Sequence, residues 1–262
     1  MASHDGKPTL LSLARQLGVS RQTVSNVLNA PDVVHPTTRQ RVLDAIDESG
    51  YRPSAAGRAL RTRRSMNVAY RLYPAVDGIN GAVMDRFLHN LVIQARHHGY
   101  RVTLFDSPDY SDEVEALVEQ HRAGLIDACV LTDTHTHDQR PGRLRTAGVP
   151  TVVFGRPWGD LDAPHAWLDI DGSAGCAAAV RHLRGGGHRR IGFLGWPEGS
   201  GVGDDRCAGW LRAMADLDVS GLRASSEDGV QTGASAAGQL LDAGATAAVC
   251  TSDSLALGAA SR

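Results

Sequence analysis

The sequence predicts two folds in one chain: a small all-α helix-turn-helix module at the N-terminus, then an α/β body built on parallel sheet. Three observations carry this. Residues 10–28 hold two short amphipathic helical periods separated by a glycine. From Val68 onward, apolar strand-like runs alternate with helical periods, the order that the crossovers of a parallel sheet require. Charge divides at the same place: residues 1–65 carry ten Lys/Arg and five Asp/Glu, the remainder 17 and 24, so a +5 head precedes a −7 body.

A chain of 262 residues, 42% hydrophobic, has room for a small module and one larger α/β body. No apolar run is long enough to span a bilayer, and the opening MASHDGKPT lacks the apolar core of a signal peptide, so cytoplasmic residence is expected. The cysteines (Cys129, Cys176, Cys207, Cys250) show no CxxC or zinc-ligand spacing and read as free, mostly buried thiols. A basic head on an acidic body fits a polyanionic partner touched by one end, although a solvated basic face would look the same.

Leu10, Leu13, Ala14 and Leu17 fall at i, i+3, i+4 and i+7, the stripe of a short helix. Gly18 can stop it in the left-handed conformation, and Ser20 can cap a second helix that buries Val24, Val27 and Leu28. Arg21, Gln22, Ser25 and Asn26 then face away from the apolar side. Arginine reads guanine, and Gln or Asn reads adenine, through paired hydrogen bonds in the major groove. Ser20, Thr23 and Asn29 flank them and complete the candidate DNA-reading set on this helix. Pro36 suits the first turn of a third helix, with Val42, Leu43 and Ile46 packed on the first two and His35 as a poor cap.

In the body, strands are predicted at Val68–Tyr73, Arg101–Phe105, Ala128–Thr132, Thr151–Phe154, Ile191–Gly195 and Ala247–Thr251. Helices fall between them: from Met84 to Gly99, through Val114–His121, around Leu144, from Gly172 to Arg184, around Trp210–Leu217 and near Leu240. In parallel sheets ligands bind beyond the carboxyl ends of the strands. The loops there carry Tyr73–Pro74, Asp106–Ser107, Asp133–Thr134–His135, Arg156–Pro157–Trp158, Asp205–Arg206 and Ser252–Asp253. Carboxylate, guanidinium and indole groups together suit a polyhydroxylated ligand. Asp133 and Arg156 can equally be capping or surface charges, and Trp158 can equally be packing between lobes.

His135 and His137 stand at i, i+2, which on a strand points them oppositely, and no third ligand accompanies them, so no metal is expected. Gly199–Gly203 lacks the continuation of a phosphate loop and reads as a flexible loop opening the Arg206 helix. No nucleophile elbow, HExxH or catalytic carboxylate pair stands out, so neither an enzyme nor a cofactor is expected.

The segments TLLSLARQLGVSRQTVSNVLN and HPTTRQRVLDAIDESGYRPSAAGRALRTRRS resemble the headpiece and hinge of the lactose-repressor (LacI/GalR-type) family. VVFGRPWG, LDIDGSAG, HLRGGGHRRIGFLG, DRCAGW and CTSDSLALGA resemble the periplasmic-binding-protein-like core of the same family. The resemblance implies a headpiece over 1–52, a hinge over 53–65 and an effector-binding and dimerisation core over 66–262, with two parallel-sheet lobes. The family chain continues beyond the match to SDSLALGA, so the second lobe is expected to be incomplete.

The same resemblance implies a homodimer on a near-palindromic operator, and a small-molecule effector, a sugar, that shifts the hinge equilibrium. Repression is the implied output. Leu60 matches the leucine that wedges into the minor groove, with Arg58, Arg61, Arg63 and Arg64 as phosphate or minor-groove contacts, although a basic linker with Leu60 resting on the headpiece would read the same. Gly57 stands where the family commonly has alanine, which predicts a less stable hinge helix and weaker DNA binding. Arg206 and Asp253 match effector-contacting positions, joined in the candidate set by Asp133, Arg156 and Trp158. A small-molecule binding protein, or a shortened regulator without DNA binding, is the alternative reading.

Overall fold

The computed structural model describes residues 8–52, 62, 64–73, 82–219 and 221–262. They fall into two compact units, Met1–Arg63 and Arg64–Arg262.

In the first unit, α1 (Leu10–Leu17) opens on a capping box in which Thr9 accepts from the Ser12 amide and Ser12 returns the bond to the Thr9 amide. Gly18, at φ 66°, ends it in the left-handed region. The Ser20 hydroxyl accepts from the Thr23 amide at 3.0 Å and starts α2 (Arg21–Asn29). A 3-10 turn (Pro31–Val33) leads to α3 (Pro36–Ser49), whose amino end has no side-chain cap. His35 instead bonds the Thr37 hydroxyl at 2.6 Å. Leu13, Ala14, Val24, Val27, Val42, Ala45, Ile46 and Tyr51 form the core. Leu43, expected inside, is exposed, and Ala45 takes the buried position because it lies on the α3 face shared with Val42 and Ile46.

The second unit has two lobes. The first is a five-stranded parallel sheet in the order β2-β1-β3-β4-β5, with β1 Asn67–Arg71, β2 Arg101–Phe105, β3 Ala128–Leu131, β4 Thr151–Phe154 and β5 Ala166–Leu168. Helices α4 (Ala82–His97), α5 (Tyr110–Arg122) and α6 (Arg140–Thr146) connect them. Its core gathers Ala69, Val114, Leu117, Ile126, Leu131, Leu144 and Val153.

The second lobe is a three-stranded parallel sheet, β7-β6-β8, made of β6 Ile191–Gly195, β7 Arg223–Ser225 and β8 Ala247–Cys250. Its helices are α7 (Gly172–Gly185), α8 (Gly201–Ala213), α9 (Val230–Asp242) and α10 (Asp253–Ala260). Trp210, Phe193, Ile191, Val180, Met214 and Leu222 fill one side of the core, and Leu194, Leu240 and Leu255 belong to a second cluster.

Two strands were not expected. β5 and β7 have three residues each, too short for alternation to show, and β5 is exposed throughout. The segment Gly199–Gly203 is not a flexible loop: Ser200 caps α8, accepting from the Gly203 amide at 3.2 Å, and Gly201–Gly203 form its first turn. Among the described residues no helix is long and apolar enough to cross a membrane.

Candidate functional site

On α2, burial of Val24 and Val27 turns Arg21 and Gln22 outward. Gln22 Nε2 donates to Asn26 Oδ1 at 2.7 Å, one turn on, so the two amides share a face. Gln22 keeps its carbonyl and Asn26 its amide hydrogens, the donor and acceptor types that an adenine edge needs. Ser20, Thr23 and Asn29 also bond within the helix: Ser20 caps it with Thr23 beside it, and Asn29 Nδ2 donates to the Ser25 carbonyl at 2.6 Å. Arg58, Leu60 and Arg61, with Gly57, Arg63 and Pro74, lie outside the described residues.

At the carboxyl edge of the first sheet, Arg71 ends β1 as a buried cation. It donates to Glu113 Oε2 at 3.1 Å and to the Ser107 carbonyl at 2.6 Å, while its Nε has no partner. Arg140 shares Glu113 Oε2 at 2.8 Å and ties down the loop after β3 through the Thr132 and Asp133 carbonyls and the Asp138 carboxylate. That loop contains two non-glycine residues at positive φ, Asp133 (55°) and His137 (62°), which this tethering holds in place. Asp133 accepts from the Tyr110 hydroxyl at 2.7 Å. Burial, reinforced by Glu113, pushes the Tyr73 hydroxyl up to about 12, and burial with the Asp133 hydrogen bond raises Tyr110 as well. Sequence reasoning missed Arg71, Glu113 and Arg140. The available signal was a charge inside the apolar run VAYRLY.

Arg156 and Trp158 meet the second lobe. Arg156 Nε donates to Asp169 at 2.7 Å and its Nη1 reaches Asp205 Oδ1, on α8, at 3.4 Å. Asp205 also accepts from the Ser173 amide at 3.1 Å. The Arg156 guanidinium lies 5.0 Å from the Trp158 ring centroid. Trp158 donates to the Thr134 hydroxyl at 3.1 Å, and its ring abuts Gly201 so closely that a Cβ there would stand 2.3 Å away.

In the second lobe, Arg206 donates to the Thr251 carbonyl at 2.6 Å, packs against Gly172 and lies 5.7 Å from the Trp196 ring centroid. Asp253 is exposed in the first turn of α10, capped by Ser252, and no ion pair joins it to Arg206. Trp196 Nε1 donates to Asp228 at 3.2 Å, and the Ser252 hydroxyl bonds the same carboxylate. Trp196 and Asp228 add an indole and a carboxylate that sequence reasoning did not single out. The Thr251 and Ser226 hydroxyls are buried without partners.

His135 and His137 do not diverge as strand residues would. They occupy a loop and line one cavity of about 300 Å³ together with Asp138, Trp158 and His165. Among the described residues no group of three His, Cys, Asp or Glu side chains is placed to hold a metal ion. The candidate residues therefore divide among the exposed face of α2, the tethered loop after β3, the contact between the lobes, and the strand ends of the second lobe.

Comparison with known proteins adds to this geometry. Residues 9–54 match the family model "Bacterial regulatory proteins, lacI family", and residues 87–262 match "Periplasmic binding proteins and sugar binding domain of LacI family". The chain is 34% identical over 213 residues to the HTH-type transcriptional regulator CelR of Thermobifida fusca, covering 79% of this chain and 61% of that one. It is 32% identical over 260 residues to MalR of Streptomyces coelicolor, covering 95% and 74%. A solved transcriptional regulator CelR–cellobiose complex superposes with a TM-score of 0.62 at 29% identity, covering 97% of this chain and 77% of that one. The chain thus spans about three fifths of the length of the first curated relatives it matches.

Proposed function

The chain belongs to the lacI family of bacterial regulatory proteins, and from that premise we propose that it is a sequence-specific DNA-binding transcription regulator governed by a sugar. The outward face of α2, with Arg21 exposed and Gln22 hydrogen-bonded to Asn26, is the observation that carries this reading. In our reading Arg21, Gln22 and Asn26 touch bases, while Arg58, Leu60 and Arg61 serve the hinge. Two chains bind a near-palindrome as a homodimer in the cytoplasm, repress transcription and carry out no catalysis.

The sugar reading rests on chemistry at the strand ends. Arg206, Trp196, Asp228 and Asp253 supply the guanidinium, indole and carboxylates that hydroxyl groups and an apolar ring face use. The similar protein bound to cellobiose supports a sugar of that class.

The test is to select operator DNA from a random pool with the purified chain, then measure affinity against salt with and without cellobiose. A duplex bound with a steep inverse salt dependence, and an affinity that cellobiose changes, is expected. No preference over random duplex would overturn the DNA reading. Operator binding that cellobiose leaves unaltered would overturn the reading of an effector of that class.

A further inference from the structure

Four residues outside the hydrophobic core of either lobe meet where the lobes touch. From the first lobe come Arg156 and Trp158, two residues apart beyond β4. From the second come Gly201 and Asp205, four residues apart and so on one face of α8. Arg156 bonds Asp205, and the Trp158 ring fills the space that a side chain at 201 would occupy. Asp169, on the crossover between the lobes, accepts from Arg156 Nε and aims the guanidinium at α8. Arg156 and Asp205 are about one-fifth exposed, so solvent screens the pair less than a surface pair.

We propose that Arg156 and Trp158 form an interlobe latch with Asp205 and Gly201, and that they position the lobes rather than bind the effector. Three features give the latch a route to the ligand. Arg206 follows Asp205 directly on α8. Asp205 also accepts from the Ser173 amide at the start of α7, and the Arg206 side chain lies against Gly172 of the same turn. A shift of α8 away from Arg156 therefore moves Arg206 and the α7 amino end with it. Trp158 reports the same motion to the first lobe through Thr134. A ligand touching both lobes binds the latched state, and its apparent affinity falls in proportion to the latched fraction. The consequence for sugar rests on the effector reading above, whereas the latch itself does not.

The full chain is compared with R156Q, D205N, the double variant and G201A. D205N keeps an oxygen for the Ser173 amide, and G201A leaves every charge in place. Without ligand, hydrogen exchange is expected to rise together at residues 156–160 and 201–206 in each single variant. The double variant R156Q/D205N should exchange no faster than either single one, and the β1–β3 segments should not change. For cellobiose measured by calorimetry, a latched fraction lowered to about one tenth raises the Kd about tenfold. Unchanged exchange on both sides of the contact, or purely additive effects of R156Q and D205N, would overturn the latch. Coupled exchange in a chain that does not bind cellobiose would support the latch and remove the reading of an effector of the cellobiose class. A Kd unchanged despite coupled exchange would overturn the link from latch to ligand.

Discussion

Glu113 accepts from both Arg71 and Arg140 through a single oxygen, Oε2, at 3.1 and 2.8 Å, and the three side chains are between 1% and 8% exposed. One buried carboxylate thus holds two cations that come from the end of β1 and the start of α6. Removing one member of such a group leaves uncompensated buried charge, typically costing about 3–5 kcal/mol. Glu113→Ala is expected to lower the stability of the second unit by that amount in urea unfolding, with the headpiece transition unmoved. A loss under about 1 kcal/mol would mean that water reaches the arginines.

Alkali should act on the same corner. Tyr73 sits near Glu113 and accepts from Arg140, and burial raises its hydroxyl to about 12 from the ordinary 10. The folded state therefore holds this proton more tightly than the unfolded chain. The corresponding stability is intact below pH 10 and is lost as the pH climbs through about 12. The expected result is a loss of stability across that window that Tyr73→Phe reduces, read by unfolding at a series of alkaline pH values. A window unchanged by the substitution would assign the effect to other groups.

Much of the fold was legible in the sequence because it rests on periodicity and caps. Gly18 and Ser20 mark helix ends whatever surrounds them, and the β-branched and apolar runs at Thr151–Phe154 and Ile191–Gly195 are short and continuous. β5 and β7 left no trace, since three residues are shorter than the pattern that reveals a strand. Residue type named Arg206 and Asp253 as candidates, but the loops expected to carry them are helical, since Arg206 lies in α8 and Asp253 opens α10, and the partners of each were not legible. Nothing near Arg71 in sequence announces Glu113 or Arg140, which are 42 and 69 positions away. Nor does the sequence place Gly201 beneath Trp158, because a glycine's reason for being small is the neighbour it makes room for.

Gly209 illustrates that point as a prediction. It lies where α8 crosses α7, and a Cβ there would stand 2.1 Å from the Ser173 carbonyl oxygen, a backbone atom that cannot swing aside. Arg212 adds a bond to the Ser173 hydroxyl at 2.6 Å and fixes the crossing further. Gly209→Ala is expected to destabilise the second unit by about 1–3 kcal/mol, as overpacking does. Thermal unfolding measures it, and an unchanged midpoint would show that the helices can separate freely.

The exposed face of α2 gives the last prediction. Gln22 and Asn26 are joined at 2.7 Å, so cutting either back to alanine removes a group that we propose reads bases and frees its neighbour. A good paired contact discriminates against the wrong base by about 1–3 kcal/mol, whereas contacts to phosphates carry no sequence information. Gln22→Ala is therefore expected to weaken binding to the selected operator by about that much and to leave binding to random duplex, and its salt dependence, as they were. Ser20→Ala should act differently. It removes the cap that accepts from the Thr23 amide, costing about 1 kcal/mol of headpiece stability and weakening specific and random binding together. Anisotropy titrations of both variants on both duplexes separate the two roles. If Gln22→Ala weakened both duplexes equally, α2 would be holding the backbone rather than reading bases.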